Sequence, residues 1–95
     1  MNIVKTVQYL RTEKHLIKKH TLAKTQIDAA LKLFKHDPHH PSLHYKKMTC
    51  KKEKERYSIR IPGTQYRILM NIYADDVYLV CVCSHDEYDR RNRGC

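Results

Sequence analysis

Residues 57–83 read YSIRIPGTQYRILMNIYADDVYLVCVC, and the fold turns on how this stretch divides. YSIRI alternates: Tyr57, Ile59 and Ile61 project to one side, Ser58 and Arg60 to the other, the period of a half-buried strand. PGTQ, residues 62–65, reads as a turn, because Pro62 fixes one backbone angle and Gly63 tolerates a left-handed one. YRILMNIY (66–73) and VYLVCVC (77–83) are two further β-forming runs around Ala74-Asp75-Asp76. Three strands in succession, with little chain between them, predict antiparallel pairing.

Outward from this stretch the pattern changes. LHYKKM, residues 43–48, predicts a short strand, and TCKKEKER, residues 49–56, a charged connection. HDPHHPSLH, residues 36–44, carries two prolines and reads as a surface loop. Its histidines His36, His39, His40 and His44 have no cysteine or carboxylate at a ligand spacing apart from Asp37, so a solvated loop is expected there. Before it, Ile27, Ala30, Leu31 and Phe34 repeat at helical spacing, with Thr21 as the expected cap and Asp37-Pro38 as the stop. A first helix is expected over Val7–His20, where Tyr9 and Leu16, and Leu10 and Ile17, are seven apart. NIVKT, residues 2–6, can add one short strand. The order β-α-α-β-β-β predicts an α+β fold, a helical hairpin packed on one face of a small, largely antiparallel sheet. Residues 1–95 fit a single domain, with 89–95 expected as a flexible C-terminal tail.

The charge points to a class of partner. Nineteen Lys and Arg against ten acids give a net charge of +9 and a pI near 9.5. That excess favours an anion, nucleic acid first, although an acidic protein would fit equally well. No apolar run approaches the roughly 20 residues of a membrane span, and the polar N-terminus does not read as a signal peptide, so the cytoplasm is expected. In that compartment the four cysteines, Cys50, Cys81, Cys83 and Cys95, are expected as reduced thiols.

Cys81, Cys83 and His85 are spaced by twos, which raises a metal site. If Asp75-Asp76 is a two-residue turn, Ile72 faces Leu79, Met70 faces Cys81 and Ile68 faces Cys83, and the cysteines join an apolar row. A three-residue turn moves them to the face of Arg67. Either way one strand supplies at most three ligands, and no fourth is evident, so neither a metal nor a cofactor is expected. The same register sets His85 opposite Tyr66, off the face of Arg67. For His85 to join Arg67, the strand has to end between Cys83 and His85.

PSLHYKKM, then YSIRIPGTQYRILMNI, then DDVYLVCVCSHDEY, following two helices, resemble the RelE/ParE superfamily of bacterial toxins from type II toxin–antitoxin pairs. The shared elements are a short strand with paired lysines, a strand ending in a basic residue, a Tyr-Arg pair opening the next, and a basic or histidine residue near a C-terminal Tyr. The resemblance implies one of two activities. The RelE branch enters the ribosome and cuts mRNA without a metal, the RNA 2′-hydroxyl attacking the adjacent phosphate. The ParE branch poisons DNA gyrase. Both are held by an antitoxin partner, and an inactive chain that only binds its antitoxin is a further alternative.

Carried onto this chain, the RelE reading assigns four site residues. Arg67 contacts the scissile phosphate and Arg60 is the basic position on the preceding strand, Arg being suited to phosphate by its planar fork. His85 is the proton carrier, since its pKa lies near neutrality, and Tyr88 donates a hydrogen bond or stacks on a base. Asp86 and Glu87 are expected to be solvated. Lys46, Lys47, Lys51 and Lys52, with Lys54 and Arg56, would grip the RNA backbone of mRNA and ribosome. The chain departs from the pattern at Ser58, where a lysine is common, and in His-Asp-Glu-Tyr, which replaces an arginine-containing tail.

Overall fold

The 57–83 stretch forms three antiparallel strands, and the rest of the chain completes a five-stranded sheet around them. The computed structural model describes residues 1–84 and Arg90. The elements are β1 (Asn2–Lys5), α1 (Val7–Lys18), α2 (Lys24–His36), a 3-10 turn at Pro41–Leu43, β2 (Lys46–Lys47), β3 (Arg56–Arg60), β4 (Tyr66–Tyr73) and β5 (Asp76–Ser84). The strand order is β1-β5-β4-β3-β2. β1 runs parallel to β5, and the other neighbours are antiparallel. Tyr9, Ile27, Ala30, Leu31 and Phe34 of the helices share one buried cluster with Ile59, Ile68, Met70, Val77, Leu79 and Val82 of the sheet. The α+β architecture with a helical hairpin on one sheet face is therefore the one the sequence predicts. Each large apolar side chain in this core contributes roughly 1.5–3 kcal/mol by leaving water.

Two threonines dock α1 on the sheet. The Thr6 hydroxyl accepts the first-turn N–H of Tyr9 at 3.2 Å and donates to the Leu79 carbonyl at 2.6 Å, so one group caps the helix and ties it to β5. β1 pairs with Asp76 to Leu79, and among the described residues no strand flanks the far half of β5 on that side. There the Thr12 hydroxyl accepts the Val82 N–H at 2.9 Å and donates to the Tyr9 carbonyl at 2.7 Å. A backbone donor that would otherwise be buried unpaired is thus satisfied by the helix. Of the expected apolar pairs on α1, Tyr9 is fully buried while Leu10 is 45% exposed, and Leu16 and Ile17 both pack against the core from its edge. Glu13 is buried on that side with Lys5 Nζ 3.5 Å away. Burial first, and the Glu13 carboxylate second, push the Tyr9 hydroxyl pKa well above its ordinary value.

α2 starts later than Thr21. His20 takes a left-handed φ of 57°, its N–H donates to the Ile17 carbonyl, and the Thr21 N–H reaches back to the Leu16 carbonyl at 3.0 Å. That is the closing motif of a helix C-terminus, so Thr21 finishes α1 rather than starting α2. The N-cap is Ala23, whose N–H is satisfied by Gln26 Oε1 at 2.9 Å. At the other end α2 stops at His36, with Asp37 extended ahead of Pro38 as expected.

The β4–β5 register differs from the expected one in two ways. Tyr73 pairs with Asp76, so the turn residues are Ala74 and Asp75, with Ala74 at φ 53°. Further on, Met70 pairs with Leu79 but Leu69 pairs with Cys81, which leaves Val80 as the extra residue of a β-bulge. One extra residue flips every later side chain. Val82 goes into the helix-side core, and Cys81 and Cys83 go to the opposite face, across from Leu69 and Arg67. The apolar row with Met70 and Ile68 is therefore not formed. Cys81 and Cys83 form no disulfide, as expected, but Cys50 is disulfide-bonded and the expectation fails there. The expected tail, 89–95, lies outside the described residues apart from Arg90. Among the described residues no helix is long and apolar enough to cross a membrane.

Candidate anion-binding face

The sheet face away from the helices gathers four basic residues of the strands, Lys46, Arg56, Arg60 and Arg67. Cross-strand partners share a face, so the pairings define its rows. Arg60, Arg67 and Cys83 form one row, and Lys46, Ser58, Leu69 and Cys81 form the next. Arg56, Asn71 and Tyr78 form a third. Arg60 and Arg67 are direct partners across β3 and β4, which sets their Cβ atoms roughly 5 Å apart. Like charges in that position repel, and an anion between two guanidinium groups turns the repulsion into attraction.

The turn between β3 and β4 orients Arg60. Its Nε donates to the Thr64 carbonyl at 2.9 Å, so the guanidinium is aimed rather than free to swing. The Thr64 hydroxyl accepts the Tyr66 N–H at 3.0 Å and donates to the Ile61 carbonyl at 2.8 Å, while Gly63 takes a φ of 78°. PGTQ is thus the turn its residues predict, braced from within. Arg67 is half-buried, with one guanidinium nitrogen shielded from solvent.

The four candidate lysines separate. Lys46 pairs with Ser58 and lies on the face of Arg60 and Arg67. Lys47 pairs with Tyr57 on the helix side, its Nζ 5.7 Å from that ring's centre and 4.0 Å from the Glu55 carboxylate. Alternation along two strand residues requires this division. Lys51 and Lys52 are exposed in the connection between β2 and β3. That connection is not simply solvated: Cys50 is buried, and the Glu53 carboxylate accepts from the Tyr73 hydroxyl at 2.5 Å and from the Glu55 N–H at 3.0 Å. The Tyr73 hydrogen bond, with the Glu55 N–H behind it, holds the Glu53 carboxyl below its ordinary pKa.

His85 and Tyr88, the candidate proton carrier and its neighbour, lie outside the described residues, as do Asp86 and Glu87. β5 runs to Ser84, which pairs with Tyr66. In the 36–44 loop, His40 Nδ1 lies 2.7 Å from the Ser42 hydroxyl, and His39 packs edge-on against Tyr45. Among the described residues no three His, Cys, Asp or Glu side chains gather in metal-binding range.

Two features escaped the sequence reading. Arg56 is a strand residue on the face of Arg60, held by Asn71 Oδ1 at 2.7 Å from its Nε, rather than part of a charged connection. The spacing Arg56-Ser58-Arg60 carried that signal. The middle of this face is also buried: Met48, Leu69, Cys81 and Cys83 form a second apolar cluster. Ser58 is fully buried beside it and donates to Met48 Sδ at 3.6 Å. A lysine at position 58 would have to displace Met48, which explains that departure.

The ParE-like toxin domain family matches residues 24–90. No curated protein matches the sequence. Solved structures with the same fold include the toxin YafQ from E. coli strain BL21(DE3), with a TM-score of 0.73 at 9% identity, covering 92% of this chain and 96% of that one. The E. coli DinJ–YafQ toxin–antitoxin complex matches at 0.74 and 11% identity, covering 90% of this chain and 93% of that one. The YoeB dimer from Staphylococcus aureus matches at 0.67 and 16% identity, covering 90% and 95%.

Proposed function

This chain belongs to the ParE-like toxin family, and from that premise we propose that it is the toxin of a type II toxin–antitoxin pair and acts as a ribosome-dependent endoribonuclease on mRNA. The observation that carries the nuclease reading is the direct pairing of Arg60 with Arg67 on the basic sheet face away from the helices. Cleavage by the RNA 2′-hydroxyl builds negative charge on the phosphate as the new P–O bond forms and the 5′-oxygen leaves. A guanidinium group aimed before the reaction begins is suited to that charge, and a second lies directly across the strand pair. Arg60 is aimed by the turn, and Lys46 in the adjacent row meets the flanking backbone. His85 takes the 2′-hydroxyl proton or supplies one to the leaving oxygen, and Tyr88 steadies the phosphate or a neighbouring base. Residues of the chain supply every step, with no metal.

An acidic antitoxin, the counterpart of DinJ in the YafQ complex, is the expected partner, and it neutralises the same basic face. The test is growth of cells expressing the chain without its antitoxin. Wild type arrests growth, and Arg67→Ala and His85→Ala relieve the arrest while keeping the far-UV circular dichroism of the folded protein. Arrest unchanged in both variants refutes the site. Blocked gyrase supercoiling by purified protein would favour the ParE activity instead.

A further inference from the structure

Two tyrosines on the basic sheet face have no part in the chemistry above. Tyr78 lies in the row of Arg56 and Asn71, and Val4 of β1 is its partner on the other side. Tyr73, two residues beyond Asn71 on β4, projects to that face as well. The two rings meet edge to face, with centres 6.3 Å apart and planes at 63°. Tyr73, Tyr78 and Val4 are 45%, 37% and 41% exposed, so three large apolar side chains lie together in water. A lone exposed apolar residue is ordinary, whereas a contiguous group of them marks a place where something binds. We propose that Tyr73 and Tyr78 form a stacking step for single-stranded RNA, seating a base a few nucleotides from the phosphate held by Arg60 and Arg67. The proposal rests on the reading that this face binds RNA.

Three observations select that occupant. The first is charge. Lys46, Arg56, Arg60 and Arg67 lie on the tyrosines' own face, which favours a polyanion that also carries flat apolar groups. The second is fixed geometry. The Tyr73 hydroxyl donates to the Glu53 carboxylate at 2.5 Å, and Arg56 Nε donates to Asn71 Oδ1 at 2.7 Å. Side chains already held in place lose little entropy when a base stacks beside them. The edge-to-face pair forms a corner, so a flat base laid on one ring meets the other at an angle. Glu53 and Asp76 sit at the hairpin end of this corner and repel phosphate, so the base covers the rings while its backbone stays toward Arg56. The third is distance. Arg67 and Asn71 are separated by roughly 14 Å of β4. A stacked strand advances roughly 3.4 Å per nucleotide and an extended one up to about twice that, so the step lies about two to four nucleotides from the paired arginines. Every base has a face to stack, so the step positions the strand without choosing its sequence.

The test uses the full chain and a short 2′-O-methyl RNA carrying 2-aminopurine, whose fluorescence falls on stacking, at one position moved along the strand. The methyl groups remove the attacking hydroxyl, so the probe stays intact. Wild type should quench the fluorescence at some positions and not at others. Tyr78→Leu and Tyr73→Leu should abolish the quenching and weaken binding about tenfold. Their salt slope should match that of wild type, because no phosphate contact is lost. Tyr78→Phe keeps the ring and should bind and quench as wild type does, and circular dichroism verifies that the variants fold. Absence of quenching by wild type overturns the proposal, as does equal quenching by both leucine variants or a reduced salt slope in them. Wild type that self-associates through this patch, and becomes monomeric in Tyr78→Leu with RNA binding unchanged, also overturns it. The nuclease reading is scored separately, by cleavage of translated mRNA. Quenching without cleavage refutes that reading and supports the step, and cleavage without quenching does the reverse.

Discussion

Replacing Arg60 by Gln tests whether the two facing arginines share an anion. By themselves, two unit charges about 7 Å apart in water repel by about 0.6 kcal/mol, a figure in line with the measured penalty for like charges opposite one another in a sheet. A phosphate between them reverses the sign. Taking a dissociation constant of roughly 10 mM for inorganic phosphate on the wild-type pair, 100 mM phosphate adds RT ln 11, or about 1.4 kcal/mol, to stability. Removing one charge-assisted partner should weaken binding about tenfold, and the gain then falls to RT ln 2, or about 0.4 kcal/mol. The difference, about 1 kcal/mol, corresponds to roughly 4–8 °C in the midpoint of a domain this size. The comparison of phosphate with chloride matters because Arg60→Gln also loses the 2.9 Å bond to the Thr64 carbonyl, which changes the baseline but not the phosphate-dependent shift. The assay is thermal unfolding in phosphate and in chloride at equal ionic strength, with Lys24→Gln, on α2, as a control for general screening. Equal phosphate shifts in wild type and Arg60→Gln would refute the shared-anion reading.

Other consequences follow from particular contacts. Thr12→Val keeps the shape of the side chain but leaves the Val82 N–H without its acceptor, and denaturant unfolding should show a loss of about 1–3 kcal/mol. A loss under about 0.5 kcal/mol would show that α1 does not hold this edge of β5. The Tyr9 hydroxyl is neutral when folded and its pKa is raised, so its contribution is full below the ordinary tyrosine value near 10 and is lost as pH rises above it. Wild type should therefore destabilise above pH 10 by up to about 1.4 kcal/mol per pH unit more steeply than Tyr9→Phe; parallel curves would contradict the assignment. Lys46 and Lys47 lie on opposite faces, so Lys46→Ala should lower the salt slope of RNA binding by about one unit while Lys47→Ala leaves it unchanged. Equal effects would place RNA elsewhere.

The architecture was legible in the sequence because each strand of 57–83 carries its own alternation and each turn its own Gly, Pro or Asp. The Arg60–Arg67 pair was legible for the same reason, since a tight turn at 62–65 forces residues near its two ends to face each other. The thiol pair was read into the wrong row. A β-bulge adds one residue without any mark in composition, and Val80 looks like every other apolar residue of its strand. The start of α2 was misread because Thr21 is a good cap by type, while the left-handed His20 commits the Thr21 N–H to the end of α1. The disulfide at Cys50 was missed because its surroundings, a run of lysines and glutamates, read as an exposed connection. Those three errors share a cause: each depends on a backbone hydrogen bond or a pairing between distant segments, which local pattern does not report.

Primer-extension mapping of mRNA from an in vitro translation reaction tests the central claim most directly. Added wild-type protein should produce new 5′ ends inside the open reading frame, only when ribosomes are present, and Arg67→Ala should produce none. Intact mRNA alongside blocked gyrase supercoiling would contradict the nuclease account.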